Sequence, residues 1–174
     1  MDVAALRGVI LKVLGTRLFG AEADEIMHAT VPVDLKAGAL LMREGDQPRG
    51  LFLLLDGSVD VLKTAERGPR EVLATVTAPT VLGEMSLLGA RSHSASVVAK
   101  TDCSLRLLPR DDFARLLDGG SLAAYKLVAT IADVLAARLL RMDEKVLELS
   151  RQRAAAPVEE LAAFKDKLFS EWSF

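Results

Sequence analysis

Residues 51–63 read Leu51-Phe52-Leu53-Leu54-Leu55-Asp56-Gly57-Ser58-Val59-Asp60-Val61-Leu62-Lys63: a short apolar run, an Asp-Gly pair, then a second short run. Asp-Gly between two strand-like runs is the strongest short-range signal for a hairpin, because the pair tolerates the positive backbone angles that a tight turn needs. The stretch predicts two strands joined at Asp56-Gly57.

The same rhythm extends in both directions. Val31–Leu35, Leu40–Arg43, Val72–Thr77, Ser96–Ala99 and Leu105–Leu108 are further short apolar runs, recurring about every eight to twelve residues. Between them lie Lys36-Ala37-Gly38, Gly45-Asp46-Gln47-Pro48 and Arg67-Gly68-Pro69. Seven or eight short strands at this spacing predict a small barrel or roll.

Helical patterns flank the strands. Residues 4–18 set Leu6, Ile10, Val13, Leu14 and Leu18 at helical spacing, and a second short helix is expected over Ala21–Ala29, with Ala23, Ile26 and Met27 inward. After the last strand, Pro109-Arg110-Asp111-Asp112 restarts helix, since proline and acidic residues suit the unpaired N–H groups of a first turn. Gly119-Gly120-Ser121 interrupts it. From Leu122 to about Gln152 there is neither Gly nor Pro. Within that stretch Val128, Ala132, Leu135, Leu139, Met142, Val146 and Leu149 alternate spacings of four and three, the signature of a coiled-coil seam. A helix of this length measures about 45 Å, more than a small roll can cover. The seam is therefore expected to join two copies of the chain, the alternative being a helix that lies on its own roll. Beyond Ala154-Ala155-Ala156-Pro157, residues Val158, Leu161, Phe164, Leu168, Phe169 and Trp172 predict a short amphipathic helix, either packed on the roll or partner chain or used to dock another protein.

The expected fold is mainly β plus α, a jelly-roll-like β-roll (double-stranded β-helix). Its divisions are residues 1–30 as N-terminal helices, 31–118 as the roll, 119–152 as the long dimerisation helix and 153–174 as the C-terminal amphipathic helix. Composition agrees: 174 residues, 51% apolar and 26% charged, suit one globular domain with an appendage. A net charge of -2 argues against binding nucleic acid through the bulk field. One cysteine, Cys103, between the expected strands, excludes a disulfide framework and reads as a small buried thiol. Only two histidines, His28 and His93, stand far apart, so a clustered-histidine metal centre is not expected. His28 belongs on a helix surface. No catalytic constellation and no cofactor are expected, and Asp111-Asp112 and Glu159-Glu160 read as helix N-terminal charge. Asp2, Arg7, Lys12 and Arg17 break up any leader core, and the longest apolar run, Leu51–Leu55, falls far short of the roughly 20 residues of a membrane span. A cytoplasmic, membrane-free protein is the expectation.

The segment Gly83-Glu84-Met85-Ser86-Leu87-Leu88-Gly89-Ala90-Arg91-Ser92-His93-Ser94-Ala95-Ser96-Val97 resembles the phosphate-binding cassette of the cyclic-nucleotide-binding domain family. Upstream, Ala37-Gly38, Glu44-Gly45-Asp46, Leu51–Leu55 and Asp56-Gly57-Ser58-Val59 resemble that family's glycine framework, so the likeness covers about residues 19–150. It implies a β-roll with a long C-terminal helix, a ligand such as cyclic AMP or cyclic GMP, and a ribose hydroxyl held by Glu84. It also implies ligand contacts from Gly83, Glu84, Met85, Ser86, Arg91, His93, Ser94 and Ala95, with Arg138 of the long helix over the base or on a coiled-coil flank. Glu84–Leu88 are expected to form one helical turn whose free N–H groups face an anion, with Glu84 capping its own turn as the other reading.

One position departs from the family pattern. Four residues before Val97, where the family carries a phosphate-binding arginine, stands His93. Arginine offers a permanent charge and a planar fork; histidine offers one ring edge and is mostly neutral at neutral pH. Losing a charge-assisted contact of roughly 1.5–3 kcal/mol costs about ten- to a hundred-fold in affinity. Three readings stay open: a weakly bound cyclic nucleotide contacted by His93 or Arg91, another small anion or nucleotide, or a degenerate pocket on a protein-interaction or dimerisation scaffold. In the first two, the ligand would pull the cassette inward and shift the long helix, with the signal passing to an unknown protein partner. Bacterial activators of the family carry a helix-turn-helix after the long helix; only 22 residues follow Gln152 here, so DNA binding is not expected.

Overall fold

The computed structural model describes residues 8, 11, 12, 18–64, 70–89 and 92–152. The N-terminal helix expected over 4–18 and the amphipathic segment 158–172 therefore lie almost wholly outside the described residues. In chain order the elements are α1 (Gly20–His28), β1 (Val31–Leu35), β2 (Leu40–Met42), β3 (Gly50–Asp56), β4 (Ser58–Thr64), β5 (Arg70–Thr77), β6 (Thr80–Leu82), α2 (Glu84–Leu88), β7 (Ser96–Ala99), β8 (Cys103–Pro109), α3 (Arg110–Asp118) and α4 (Leu122–Gln152).

The strands pair in nested antiparallel fashion, β1 with β8, β2 with β7, β3 with β6 and β4 with β5. Two four-stranded sheets result, β1-β8-β3-β6 and β2-β7-β4-β5. This is the jelly-roll β-roll expected from the strand spacing. Between the sheets lies a core of Met42, Phe52, Leu54, Val59, Leu82, Val97, Cys103, Leu105 and Leu107, with smaller neighbours.

The central strand β3 accounts for the unbroken apolar run Leu51–Leu55. Gly50 through Leu55 are all buried, so the strand shows no in–out alternation. Phe52 and Leu54 face the inter-sheet core, while Leu51 and Leu53 are equally inaccessible on the opposite side. A strand covered on both faces reads as a continuous apolar run. The outer cover includes the helices: α3 packs on β3 and β8, and Ala23, Ile26, Phe113, Ala124, Leu127 and Ile131 are each at most 3% exposed. Half-buried Arg106 of β8 closes the end of α1, donating to Thr30 Oγ1 (2.5 Å), the Thr30 carbonyl (2.7 Å) and the Met27 carbonyl (3.4 Å). These carbonyls sit where a helix runs out of internal partners.

Two expectations are corrected. Asp56-Gly57 does not close a hairpin, because β3 and β4 belong to different sheets. β3 is already paired on both edges, by β8 and β6, so the chain turns a corner into the second sheet. Gly57 takes φ +90°, and a Cβ there would lie 2.4 Å from the Asp102 carbonyl oxygen; only glycine fits the corner. Cys103 opens β8 and does not sit between strands. It is buried as expected, its thiol 3.3 Å from the Ser58 and Thr101 carbonyls. The strand β6 carried no separate signal, being three residues long between Pro79 and Gly83.

The chain divides into two compact units, Met1–Ile131 and Ala132–Phe174. The first includes the opening turns of α4, in which Ala123, Ala124, Leu127 and Ile131 are fully buried and Val128 is half-buried. Lys126 holds both carboxylate oxygens of Glu22 at 2.6 and 2.7 Å, joining α4 to α1 within that unit. In the second unit, Leu135 and Leu139 are half-buried while Met142 and Val146 are exposed; the side chain of Leu149 lies outside those described.

Candidate functional site

The cassette begins where β6 ends. Gly83 adopts φ 80°, ψ 13° and sits at the N-cap of α2. The position is sterically closed as well as left-handed: a Cβ would come 3.0 Å from the Gly50 carbonyl oxygen and 3.4 Å from Cε of Met42. The Gly83 carbonyl accepts from the Leu87 N–H (3.2 Å) and that of Met85 from the Gly89 N–H (3.1 Å), giving the expected single turn. Around it Glu84 and Leu87 are buried, at 4% and 6% exposure, while Met85 is 59% exposed. The side chain of Ser86 is not among those described, and Arg91 lies outside the described residues.

The second half of the cassette is fastened to the loop after β2. The Gly45 N–H donates to the His93 carbonyl (2.9 Å), and the His93 N–H donates to the Asp46 carbonyl (3.0 Å). Three residues on from His93, the buried Ser96 Oγ accepts from the Glu44 N–H (3.0 Å). Lys63, reaching over from β4, donates to the Ser94 carbonyl (2.5 Å) and pairs with Glu44 (2.6 Å). Glu44 also accepts from the Thr64 N–H (3.1 Å). Its hydrogen bonds with Lys63 and Thr64 hold its carboxyl below the usual range. Ser94 is exposed and Ala95 half-buried.

The segment 42–46 thus touches both halves: Met42 lies against Gly83, and Gly45 and Asp46 clasp His93. Sequence reasoning noticed Glu44-Gly45-Asp46 only as a landmark and missed Lys63, whose role comes from a strand some thirty residues away and leaves no local signal.

His93 is 6% exposed. Burial pushes its imidazole below the ordinary value near 6.5, opposed in part by the nearby Asp46 carboxylate. A desolvated ring disfavours the charged form. The His93 side chain is therefore neutral at neutral pH. It can donate or accept one hydrogen bond at each ring nitrogen but supplies no standing charge. Arg138 falls in the second compact unit, half-buried. Among the described residues no group of three or more His, Cys, Asp or Glu side chains gathers as a metal centre would require. No helix among them is long and apolar enough to cross a membrane.

Comparison with known proteins accords with this architecture. A family model described as the cyclic nucleotide-binding domain matches residues 32–119, half of the chain. The chain is 34% identical over 118 residues to the cyclic AMP receptor protein of Thermus thermophilus, a match covering 68% of this chain and 55% of that protein. It is also 34% identical over 96 residues to a cAMP-dependent protein kinase regulatory subunit of Aspergillus niger, covering 55% of this chain and 23% of that one. The match thus spans about half of the first relative and about a quarter of the second. Among solved structures, a cyclic nucleotide-binding domain from Methylobacillus flagellatus superposes with a TM-score of 0.72 at 26% identity, covering 83% of this chain and 82% of that one. With its nested two-sheet roll, its cassette turn at Gly83 and this family match, the chain belongs to the cyclic nucleotide-binding domain family.

Proposed function

We propose that this protein is a ligand-sensing regulatory module that binds a cyclic nucleotide or related small anion, weakly, at the cassette formed by Gly83–Leu88 and His93–Ser96. The observation that carries the reading is the state of His93. It occupies the arginine position, is nearly inaccessible, and is clasped on both sides of its backbone by Gly45 and Asp46. The cassette is therefore held as a structured element although its usual cation is replaced. A neutral imidazole contributes a hydrogen bond to a phosphate oxygen where arginine would contribute a charged fork, which accounts for weak binding. Buried Glu84 beside the turn is the group we assign to a ribose hydroxyl. A carboxylate there would repel phosphate but accepts well from a neutral donor.

The two relatives named above are a cyclic AMP receptor protein and a cAMP-dependent kinase regulatory subunit, so cyclic AMP is the first ligand to test. Titration calorimetry with cyclic AMP, cyclic GMP and cyclic dinucleotides is expected to give micromolar or weaker binding to at least one. His93→Arg is expected to tighten it about ten- to a hundred-fold, the equivalent of one charge-assisted contact. Silence from every ligand at millimolar concentration favours a second reading, a ligand-free dimerisation scaffold. The neutrality of His93, which leaves no charge at that position, is the observation on its side.

The output in either reading runs through α4 to a second copy and a protein partner. The seam Val128, Leu135, Leu139, Met142, Val146 and Leu149 supports this, since Met142 and Val146 remain 63% and 39% exposed. Leu135→Asp combined with Leu139→Asp is expected to halve the mass seen by light scattering; an unchanged mass removes the seam from the assembly.

A further inference from the structure

The cassette carries a neutral imidazole at His93, yet a cation from another strand touches it. β4 pairs with β7 so that Leu62 stands opposite Ser96, which brings the next residue, Lys63, beside the second half of the cassette. The Lys63 ammonium donates to the Ser94 carbonyl (2.5 Å), on the residue directly after His93, and pairs with Glu44 (2.6 Å). Arg43 is also near, but it pairs with Asp46 at 4.0 Å on the adjoining loop. Lys63 is bonded to the cassette itself.

The tie between Lys63 and Glu44 is of a kind that exchanges readily. The two side chains are 45% and 27% exposed, and ion pairs this open to water add little stability. Glu44 keeps a second donor, the Thr64 N–H (3.1 Å), if the ammonium leaves. The flexible four-carbon stem of lysine lets its ammonium swing without moving the strand that bears it.

We propose that Lys63 is the cation that meets the phosphate of the ligand in this protein, leaving Glu44 as the anion arrives. The inference rests on the ligand-binding reading above and adds to it the source of the positive charge. It gives Glu44 a part as well. The carboxylate and the anion compete for one ammonium, so Glu44 holds the affinity down. A purely structural Lys63, serving only to brace the Ser94 carbonyl against the loop after β2, predicts the reverse, because weakening the brace from either end would then loosen the cassette and weaken binding.

Calorimetric titration of the full-length protein with cyclic AMP and cyclic GMP separates the two. Lys63→Gln keeps a donor for the Ser94 carbonyl and removes only the charge; it is expected to weaken binding about three- to tenfold, a modest loss because the site of the charge is open to water. Lys63→Arg is expected to keep the wild-type affinity or better it. Glu44→Gln still accepts from the Thr64 N–H and is expected to tighten binding about two- to fivefold, and that gain should vanish when Lys63→Gln is added. The proposal is overturned if Lys63→Gln binds as wild type does, if Lys63→Arg is as weak as Lys63→Gln, or if Glu44→Gln weakens binding. It is equally overturned if Glu44→Gln tightens binding to the same degree in the Lys63→Gln protein, which would mean that Glu44 repels the anion directly. A wild-type protein silent toward both nucleotides at millimolar concentration removes the ligand-binding reading and this inference together, whereas wild-type binding that survives Lys63→Gln removes this inference alone.

Discussion

Lowering the pH from 7.5 to 5 should destabilise the folded protein through His93 in particular, and His93→Gln should abolish the effect. Burial holds the folded imidazole below its usual value near 6.5, with Asp46 opposing. A folded-state value lower than the unfolded one means that the unfolded chain takes up a proton the native protein refuses. The stability from the neutral ring is fully present above about 6.5 and is lost as pH falls from there through the folded value. One proton sets the ceiling, a slope of about 1.4 kcal/mol per pH unit. A loss of about 1 kcal/mol would move a urea midpoint by roughly 0.3–1 M for slopes of 1–3 kcal/mol/M. The carboxylates held down by their partners, Glu22 by Lys126 and Phe19, Glu44 by Lys63 and Thr64, Asp102 by Lys36 and Ala37, act in a lower window, below their ordinary values of 4.5, 4.5 and 3.8. His28 is present in both proteins, so the difference between wild type and His93→Gln isolates His93. Urea titrations at half-unit pH steps measure it. A wild-type midpoint that is flat between pH 7 and 5, or a His93→Gln protein with the same slope as wild type, refutes the reasoning. Ligand binding gains a related signature: if the protonated ring contacts phosphate, affinity rises only below 6.5, because the ring must first be charged against its burial. A flat profile assigns the contact to the neutral N–H.

Two further substitutions test the frame around the site. Arg106→Met removes three charge-assisted bonds at the end of α1 and should cost about 2–3 kcal/mol in urea unfolding; Arg106→Lys should restore little, because one ammonium cannot reproduce the fork, and a loss below about 0.5 kcal/mol would contradict the assignment. Gly57→Ala should cost the roughly 1–2 kcal/mol of a left-handed non-glycine residue plus the displacement of the Asp102 carbonyl, whereas Gly45→Ala, at φ +85° with nothing within 4 Å of the added carbon, should cost the first part only. Equal losses from the two would show that the corner has room to give.

Nearly all of the roll was legible in the sequence because its signals are local. Each strand except β6 coincides with an apolar run in the sequence, and the boundaries of α4 follow from an absence of Gly and Pro. What could not be read locally was which strand pairs with which. Asp56-Gly57 resembles a hairpin turn because its chemistry is that of any tight reversal; only the occupied edges of β3 make it a corner between sheets. The site divides the same way. Gly83 and Glu84 stand in a recognisable string, and counting back from Val97 puts His93 where the resemblance implies an arginine. The burial of His93, and hence its neutrality, belongs to a segment tied through its main chain to Gly45 and Asp46, which are distant in sequence. The part of Lys63 depends on β4 lying beside β7, a pairing set by the whole roll.

The segment around His93 is held without the help of its side chain. The clasp runs through main-chain groups, Gly45 N–H to the His93 carbonyl and His93 N–H to the Asp46 carbonyl, and these bonds are indifferent to the side chain at position 93. The flanking ties, Glu44 N–H to Ser96 Oγ and Lys63 to the Ser94 carbonyl, use neighbours of His93 and not His93 itself. Geometry and charge are therefore separable here. The loop can be kept by four contacts that do not involve the imidazole. A substitution at 93 is then expected to leave the loop in place where the new side chain can be solvated or paired. Asp46, the one acidic neighbour that raises the ring's proton affinity, is the group that would meet a permanent cation placed there.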